Sequence, residues 1–265
     1  MRALTEYDQT DRKLHQICQI LAKAGRTFVP SRDDDSHTNI GLDGELLCSQ
    51  PILSEEYFAL KLCLNLKDFQ FDWRSYQKNI LEDPRKYILQ AHAIEGKRIE
   101  ELETEIEAGL PELGLAPGRF RDELHFEIPV YEFRDEPVMK PARLKDWIAQ
   151  RNFANQACNE LFEQLNRHTE IRIWPHHFDT GIFVPGLDGN PNLGAGLAMR
   201  DSLIEEPYFY MAGYGREGQL STESAPALSN GTWLSDSFRG AVLPATGVSA
   251  EQVSTFWREA SAWYL

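Results

Sequence analysis

The residues best suited to chemistry are two neighbouring histidines and an aspartate in the segment 174–181. His177 and Asp179 are separated by one residue, and their apolar and aromatic neighbours predict an extended strand. Alternate side chains of a strand share a face, so we expect His177 and Asp179 to point one way and His176 the other. An imidazole and a carboxylate on one face can hold a divalent metal or act as an acid–base pair.

A metal site at this pair needs a further ligand, and the sequence has no donor at a fixed spacing. We predict His37 as that ligand, because it precedes a strand in the first half as the pair does in the second. Three carboxylates are further possible donors: Asp201, Glu205 and Glu206. The alternative is structural: Asp179 orients a histidine or caps the turn before Gly181.

Aromatic residues further along the chain predict the wall of a ligand site. Tyr208 and Tyr210 stand two residues apart on a predicted strand, and with Trp174 they can line an apolar pocket that offers hydroxyl groups. Aromatic residues on strands are more often simple core residues and cross-strand pairs, which is the alternative. The set that we predict to bind a ligand is Trp174, His176, His177, Asp179, Tyr208 and Tyr210.

Common enzyme signatures are missing from the sequence. It contains no Gly-Lys-Ser/Thr phosphate loop, no Gly-x-Ser-x-Gly and no His-Glu-x-x-His. His92 and Glu95 are spaced as a histidine–carboxylate pair on a predicted helix, although Arg98 offers Glu95 a simpler ion pair. Gly194-Ala195-Gly196 lacks the third glycine of a nucleotide loop. The sequence therefore leaves open whether the protein is an enzyme.

The amino-acid composition limits the kinds of partner that the protein is expected to bind. The 265 residues include 41 acidic and 27 basic side chains, a formal net charge of -14, which disfavours nucleic acid and anionic membranes. No apolar run approaches the roughly 20 residues of a membrane span. The polar start of the sequence lacks a signal-peptide pattern, so we expect a cytoplasmic location. No Cys-x-x-Cys occurs, and Cys18 and Cys158 have the apolar neighbours of buried free thiols.

Hydrophobic periodicity and end signals predict the elements that position these residues. The first helix is predicted over 11–24, capped by Thr10 and stopped by Gly25. Two further helices are predicted over 75 to about 109, with a break at Pro84, and over 142–167. A last helix is predicted from Ser249 to the C-terminus, where Gln252 completes a capping box. Its inner face is formed by Val253, Phe256, Trp257 and Ala260. Strands are predicted over 38–47, 57–71, 125–131, 171–184, 197–199, 208–214 and 241–243.

This order of elements predicts an α+β fold with antiparallel sheet covered by helices, because it lacks regular βαβ alternation. We expect a single domain, 1–265, with pseudo-halves of about 1–110 and 119–265. Similar segments in the two halves, called the internal echo below, suggest a duplication. Helix 11–24 is followed by Phe28-Val29-Pro30, and helix 142–167 is followed by Ile173-Trp174-Pro175. The segment Glu55–Phe58 likewise resembles Glu205–Phe209. Two separate domains that meet at 111–118 are the alternative.

Three motifs resemble a bacterial family of unknown function. They are Trp174-Pro175-His176-His177-Phe178-Asp179, then Pro207-Tyr208-Phe209-Tyr210, then Gly240-Ala241-Val242-Leu243-Pro244 before a terminal aromatic helix. The resemblance covers most of 170–265 and only loosely 11–73, through Pro30 and His37. The His-His pair and the long segment 75–118 depart from the family pattern. The resemblance implies a similar arrangement of strands and carries no activity.

Two classes of function follow from these observations. The first is binding of a small polar ligand or a divalent metal in a pocket near the 176–179 segment. The second is a non-enzymatic interaction or structural role, in which the acidic helical face around 95–107 or exposed aromatic residues meet a protein partner.

Overall fold

The computed structural model describes residues 4–53, 59–75, 87–187 and 189–265. Within these ranges the chain forms four α-helices and two antiparallel sheets, which confirms the predicted α+β class. The chain divides into two compact units, and each is described below by itself. The first unit comprises Met1–Asp8, Ala149–Arg172 and His177–Leu265, and the second comprises Gln9–Ile148 and Ile173–His176.

The first helix, α1 (Glu6–Phe28), is longer than predicted at both ends. Thr5 caps it, because the Thr5 hydroxyl accepts the Asp8 N–H at 3.1 Å and the Asp8 carboxylate accepts the Thr5 N–H at 2.7 Å. The prediction of a cap at Thr10 and a stop at Gly25 is therefore wrong. Gly25 instead permits close packing, since a Cβ there would lie 2.3 Å from the His37 carbonyl oxygen.

The second unit contains a five-stranded antiparallel meander in which neighbours in sequence are neighbours in the sheet. Its strands are β1 (Gly41–Asp43), β2 (Leu46–Cys48), β3 (Leu60–Asn65), β4 (Gln70–Ser75) and β5 (Ile88–Ala93). Phe71 and Trp73 of β4 are fully buried. The polar face of β4 is buried too: Asp72 accepts hydrogen bonds from Gln70 and Arg74, each at 2.6 Å, and these bonds compensate its burial.

The helix predicted over 75–109 is wrong in its first part. Where the structure describes it, this segment forms β5 and then α2 (Ile99–Gly109), with a turn at Gly96, whose φ is 79°. Pairing of β5 with β4 overrides the local helical pattern. The predicted break at Pro84 lies outside the described residues. The strand predicted over 125–131 is also wrong, because that segment forms no ladder and Pro129 has no N–H to donate.

The larger sheet has seven strands in the order β11-β12-β9-β8-β7-β6, with β10 paired to β9. The strands are β6 (Arg172–Ile173), β7 (Thr180–Val184), β8 (Asn192–Ala198), β9 (Tyr208–Gly215), β10 (Gly218–Gln219), β11 (Thr232–Leu234) and β12 (Gly240–Pro244). The strand region predicted over 171–184 is thus two strands, separated at the predicted position around Pro175.

Two helices bury one face of this sheet in the first unit. They are α3 (Leu144–Leu165), close to its predicted bounds, and α4 (Ala250–Tyr264). The Ser249–Gln252 capping box is present, and the predicted inner face of α4 is at most 1% exposed. Apolar side chains of both helices form one cluster with strand residues such as Phe209 and Met211. The sheet face that points away from this cluster is called the second face below.

The cysteines divide into two kinds. Cys18 and Cys158 are free and buried, as predicted. Cys48 and Cys63 stand opposite each other on β2 and β3, with their Cα atoms 4.1 Å apart, and form a disulfide that the sequence did not predict. None of the described helices is long and apolar enough to cross a membrane.

The division into units bears on the predicted halves. It falls inside α1 and α3, at Asp8 and Ile148, and not in the loop 111–118. One part of the internal echo, Glu55–Phe58, lies outside the described residues. The single domain and the duplication both stay predictions.

Candidate functional site

The segment around His177 is a turn and not a strand. Residues 175–177 form the turn, and Phe178 follows in the left-handed region with a φ of 58°. A left-handed residue breaks the two-residue alternation of an extended chain, so the prediction that His177 and Asp179 share a strand face is wrong. His177 is exposed, whereas Asp179 is only 8% exposed and lies directly before β7.

Asp179 bonds to a tyrosine on another strand of the same sheet. The Tyr210 hydroxyl donates to Asp179 Oδ2. The other carboxylate oxygen, Oδ1, is buried and has no hydrogen-bond partner within the described part of the chain. The structure thus brings together two of the predicted ligand-binding residues and leaves one buried acceptor unsatisfied.

Glycines lie between Tyr210 and Asp179 in the register of the sheet. Tyr210 on β9 stands opposite Gly196 on β8, and Gly196 stands opposite Gly181 on β7. A Cβ at Gly196 would lie 2.3 Å from the Thr180 carbonyl oxygen. Glycine at 196 therefore permits the close approach of β8 to the backbone of β7 directly after Asp179.

A second tyrosine–aspartate pair lies on the same face and is fully satisfied. The Tyr208 hydroxyl donates to Asp201 Oδ2 at 2.7 Å. Asp201 Oδ1 accepts the backbone N–H groups of Leu203 and Ile204 at 2.8 and 3.0 Å. Asp201 is exposed. This pair therefore provides an internal comparison in which both carboxylate oxygens have protein donors.

Burial and the aspartates keep the nearby acids protonated. Burial, followed by the negative charge of Asp179, raises the pKa of Tyr210 well above its usual value. Burial and the bond to Asp201 raise the pKa of Tyr208 in the same direction. Burial also raises the pKa of the Cys158 thiol, so Cys158 is not a thiolate nucleophile. Both tyrosines are therefore phenols at neutral pH.

A buried arginine supports the turn from the helix side of the sheet. Arg151 on α3 is 1% exposed, donates to Thr180 Oγ1 at 3.0 Å and lies 5.2 Å from the centre of the Phe178 ring. Arg151 is not among the residues predicted from sequence. Its position four residues after Trp147 and three before Ala154 would have indicated that it lies on the buried side of the helix. Asp179 Oδ1 receives no hydrogen bond from this guanidinium.

The remaining predicted site residues lie in the second unit. His176 is half-buried, with its ring 5.6 Å from that of Phe126, and Trp174 is half-buried nearby in sequence. His37 is 4% exposed, its Nδ1 accepts the Arg32 N–H at 3.3 Å, and burial lowers its pKa. A neutral histidine that accepts at Nδ1 carries its proton on Nε2 and so has no lone pair left for a metal.

The metal predictions gain no support from side-chain placement. Among the described residues, no group of three or more His, Cys, Asp or Glu side chains is arranged to hold a metal ion. The pairing of His92 with Glu95 is wrong. His92 lies on β5, not on a helix, and its Nδ1 is 3.2 Å from Glu105 of α2. The set of His177, Asp179 and His37 stays a prediction.

Two surface clefts lie elsewhere. One, of about 340 Å³, is in the second unit between α1 and the segment Phe133–Met139. The other, of about 380 Å³, is in the first unit beside Pro185–Leu187. Neither is lined by a residue of the predicted ligand-binding set.

Comparison of the chain with models of protein families, with curated proteins and with solved structures finds no match.

Proposed function

We propose that this protein binds a small polar ligand on the second face of the seven-stranded sheet, through Asp179 and Tyr210. The observation that carries the proposal is Asp179 Oδ1, a buried acceptor without a partner in the described chain. Leaving a buried polar atom unsatisfied costs about 1–3 kcal/mol, and more for a charged group. A ligand that donates a hydrogen bond to Oδ1 would recover this free energy on binding.

The neighbouring pair supports this interpretation by contrast. Asp201 holds Tyr208 with the same chemistry, yet backbone donors satisfy its second oxygen. A carboxylate that served only to hold a tyrosine or fix a turn would gain from the same arrangement. The open acceptor at Asp179 therefore favours a binding role over a purely structural one.

The alternative role through the acidic helix has weaker support. Two glutamates of α2 are engaged within the protein: Glu103 accepts from Lys23 at 2.7 Å, and Glu105 pairs with Lys97 and His92. Intramolecular ion pairs leave less of this charge for a partner. We therefore argue only the ligand-binding function further.

The test is a thermal-shift screen with small compounds at millimolar concentration. Glycerol, acetamide and methylamine donate hydrogen bonds, and acetate is an acceptor only. We expect at least one donor to raise the melting temperature of the wild type and of Asp201→Asn, but not of Asp179→Asn. Equal shifts in all three proteins, or an equal effect of acetate, would contradict the proposal.

Unliganded stability separates binding from structure. Asp179→Asn keeps an oxygen that can accept from Tyr210 and removes the unsatisfied acceptor Oδ1, so we expect the unliganded variant to be as stable as the wild type or more stable. If Asp179 serves the fold alone, the same variant loses about 1–3 kcal/mol of unfolding free energy. Chemical denaturation of Asp179→Asn beside Asp201→Asn measures the difference.

A further inference from the structure

We infer that the ligand at Asp179 is a cation, a primary ammonium or guanidinium group of a small molecule. This inference rests on the proposed function and names the chemical class that the site selects. It follows from the donors and acceptors of the site, its aromatic walls and its charge.

Asp179 and Tyr210 themselves offer a ligand acceptors and no donor. Asp179 Oδ1 can only accept while the carboxylate is ionised. Tyr210 has a single O–H, which is donated to Asp179 Oδ2, so its oxygen can offer a ligand only lone pairs. Anions and ligands that only accept find no partner here. Ammonium and guanidinium groups carry several donors and no acceptor, which matches this pair.

Aromatic rings flank the acceptors. The Phe238 ring stands edge-to-face with the Tyr210 ring at 6.4 Å between centroids, and both side chains are half-buried. A cation over such rings is attracted by their negative faces in addition to its hydrogen bonds. Both rings are partly exposed, whereas Oδ1 is buried, so the inference requires that a ligand displace the side chains that cover Oδ1.

Asp179 brings a carboxylate to this part of the sheet, and the buried cation nearby, Arg151, gives its Oδ1 no hydrogen bond. The second carboxylate in this region, Asp201, is bonded to Tyr208 and to two backbone N–H groups, so it is not part of the site. The nearby guanidinium of Arg151 is bonded to Thr180 on the helix side of the sheet. The net charge of -14 adds a long-range attraction for cations.

The experiment compares methylguanidine with its neutral isostere, N-methylurea. The two have nearly the same shape and differ in charge, and isothermal titration calorimetry measures the affinity of each for the whole chain. We expect methylguanidine to bind the wild type at least tenfold more tightly. Asp179→Asn should remove that preference, Phe238→Leu should weaken methylguanidine binding severalfold, and Asp201→Asn should change neither.

The outcomes separate this inference from the proposed function. If N-methylurea binds as tightly as methylguanidine and Asp179→Asn weakens both, the site exists and its preference for cations is refuted. If methylguanidine binds Asp179→Asn as tightly as the wild type, it binds elsewhere and the inference falls. Absence of binding by either compound, in a protein whose melting temperature responds to glycerol or acetamide through Asp179, also refutes the cation and leaves the site in place.

Discussion

Replacing Trp257 with alanine removes the largest side chain that α4 contributes to the core of the first unit. The ring is 1% exposed, stands edge-to-face with Phe209 at 5.5 Å, and donates from Nε1 to the Tyr210 carbonyl at 3.0 Å. The substitution therefore opens a cavity and also leaves a backbone acceptor of β9 without its donor.

The magnitude follows from the buried area. A buried aromatic side chain removes about 150–250 Å² from water, which at about 25 cal/mol per Å² gives an upper value of roughly 4–6 kcal/mol. A compact unfolded state lowers this by about 10–40%, to the roughly 3–5 kcal/mol typical of large aromatic truncations. We expect Trp257→Ala to lose about that much unfolding free energy.

The assay is urea denaturation followed by far-UV circular dichroism, because tryptophan fluorescence changes with the substitution itself. Trp263→Ala on the same helix is the matched control. Trp263 is half-buried and its Nε1 lies 3.4 Å from the Ser221 carbonyl, so we expect a loss nearer 1 kcal/mol. If Trp257→Ala lies within 1 kcal/mol of the wild type, or costs no more than Trp263→Ala, α4 does not complete this core.

Three further predictions concern other parts of the chain. Because Cys48 and Cys63 form a disulfide, alkylation of the denatured protein should modify two thiols before reduction and four after it. Four modified thiols without reduction would refute the disulfide and would fit the cytoplasmic location expected from sequence, where disulfides are rare. Hydrogen bonds from Ser229 lower the pKa of Glu259 from 4.5, so Glu259→Gln should reduce the melting temperature at pH 7. The difference in melting temperature between wild type and variant should shrink as the pH falls through the lowered pKa, and a difference that does not change with pH would refute this. Gly25→Ala should lower the unfolding free energy by about 2 kcal/mol or more, although alanine has the better helix propensity, because its Cβ would lie 2.3 Å from a backbone oxygen. Gly41→Ala is the control, since a Cβ there meets open space, and equal unfolding free energies of the two variants would contradict the packing argument.

Local signals in the sequence predicted the elements whose own residues decide their structure. The capping box at Ser249 and the apolar face of α4 depend on contacts within a few residues or on burial of one stripe, and both are present. Segment 88–93 failed because its partner is β4, and no local pattern announces that pairing. The same holds for the Cys48–Cys63 bond, which requires the register of β2 against β3.

The candidate site shows the same limit at the level of single atoms. The sequence identified Asp179 and Tyr210 as residues suited to a ligand site, but predicted a strand where Phe178 adopts a left-handed turn. The contact between them depends on the register of three strands. That Asp179 Oδ1 lacks a donor can be known only when every neighbouring donor is placed. A sequence can therefore nominate the acceptor, whereas only the structure shows that the protein leaves it unsatisfied, and this unsatisfied acceptor is the property from which a donor-bearing ligand is inferred.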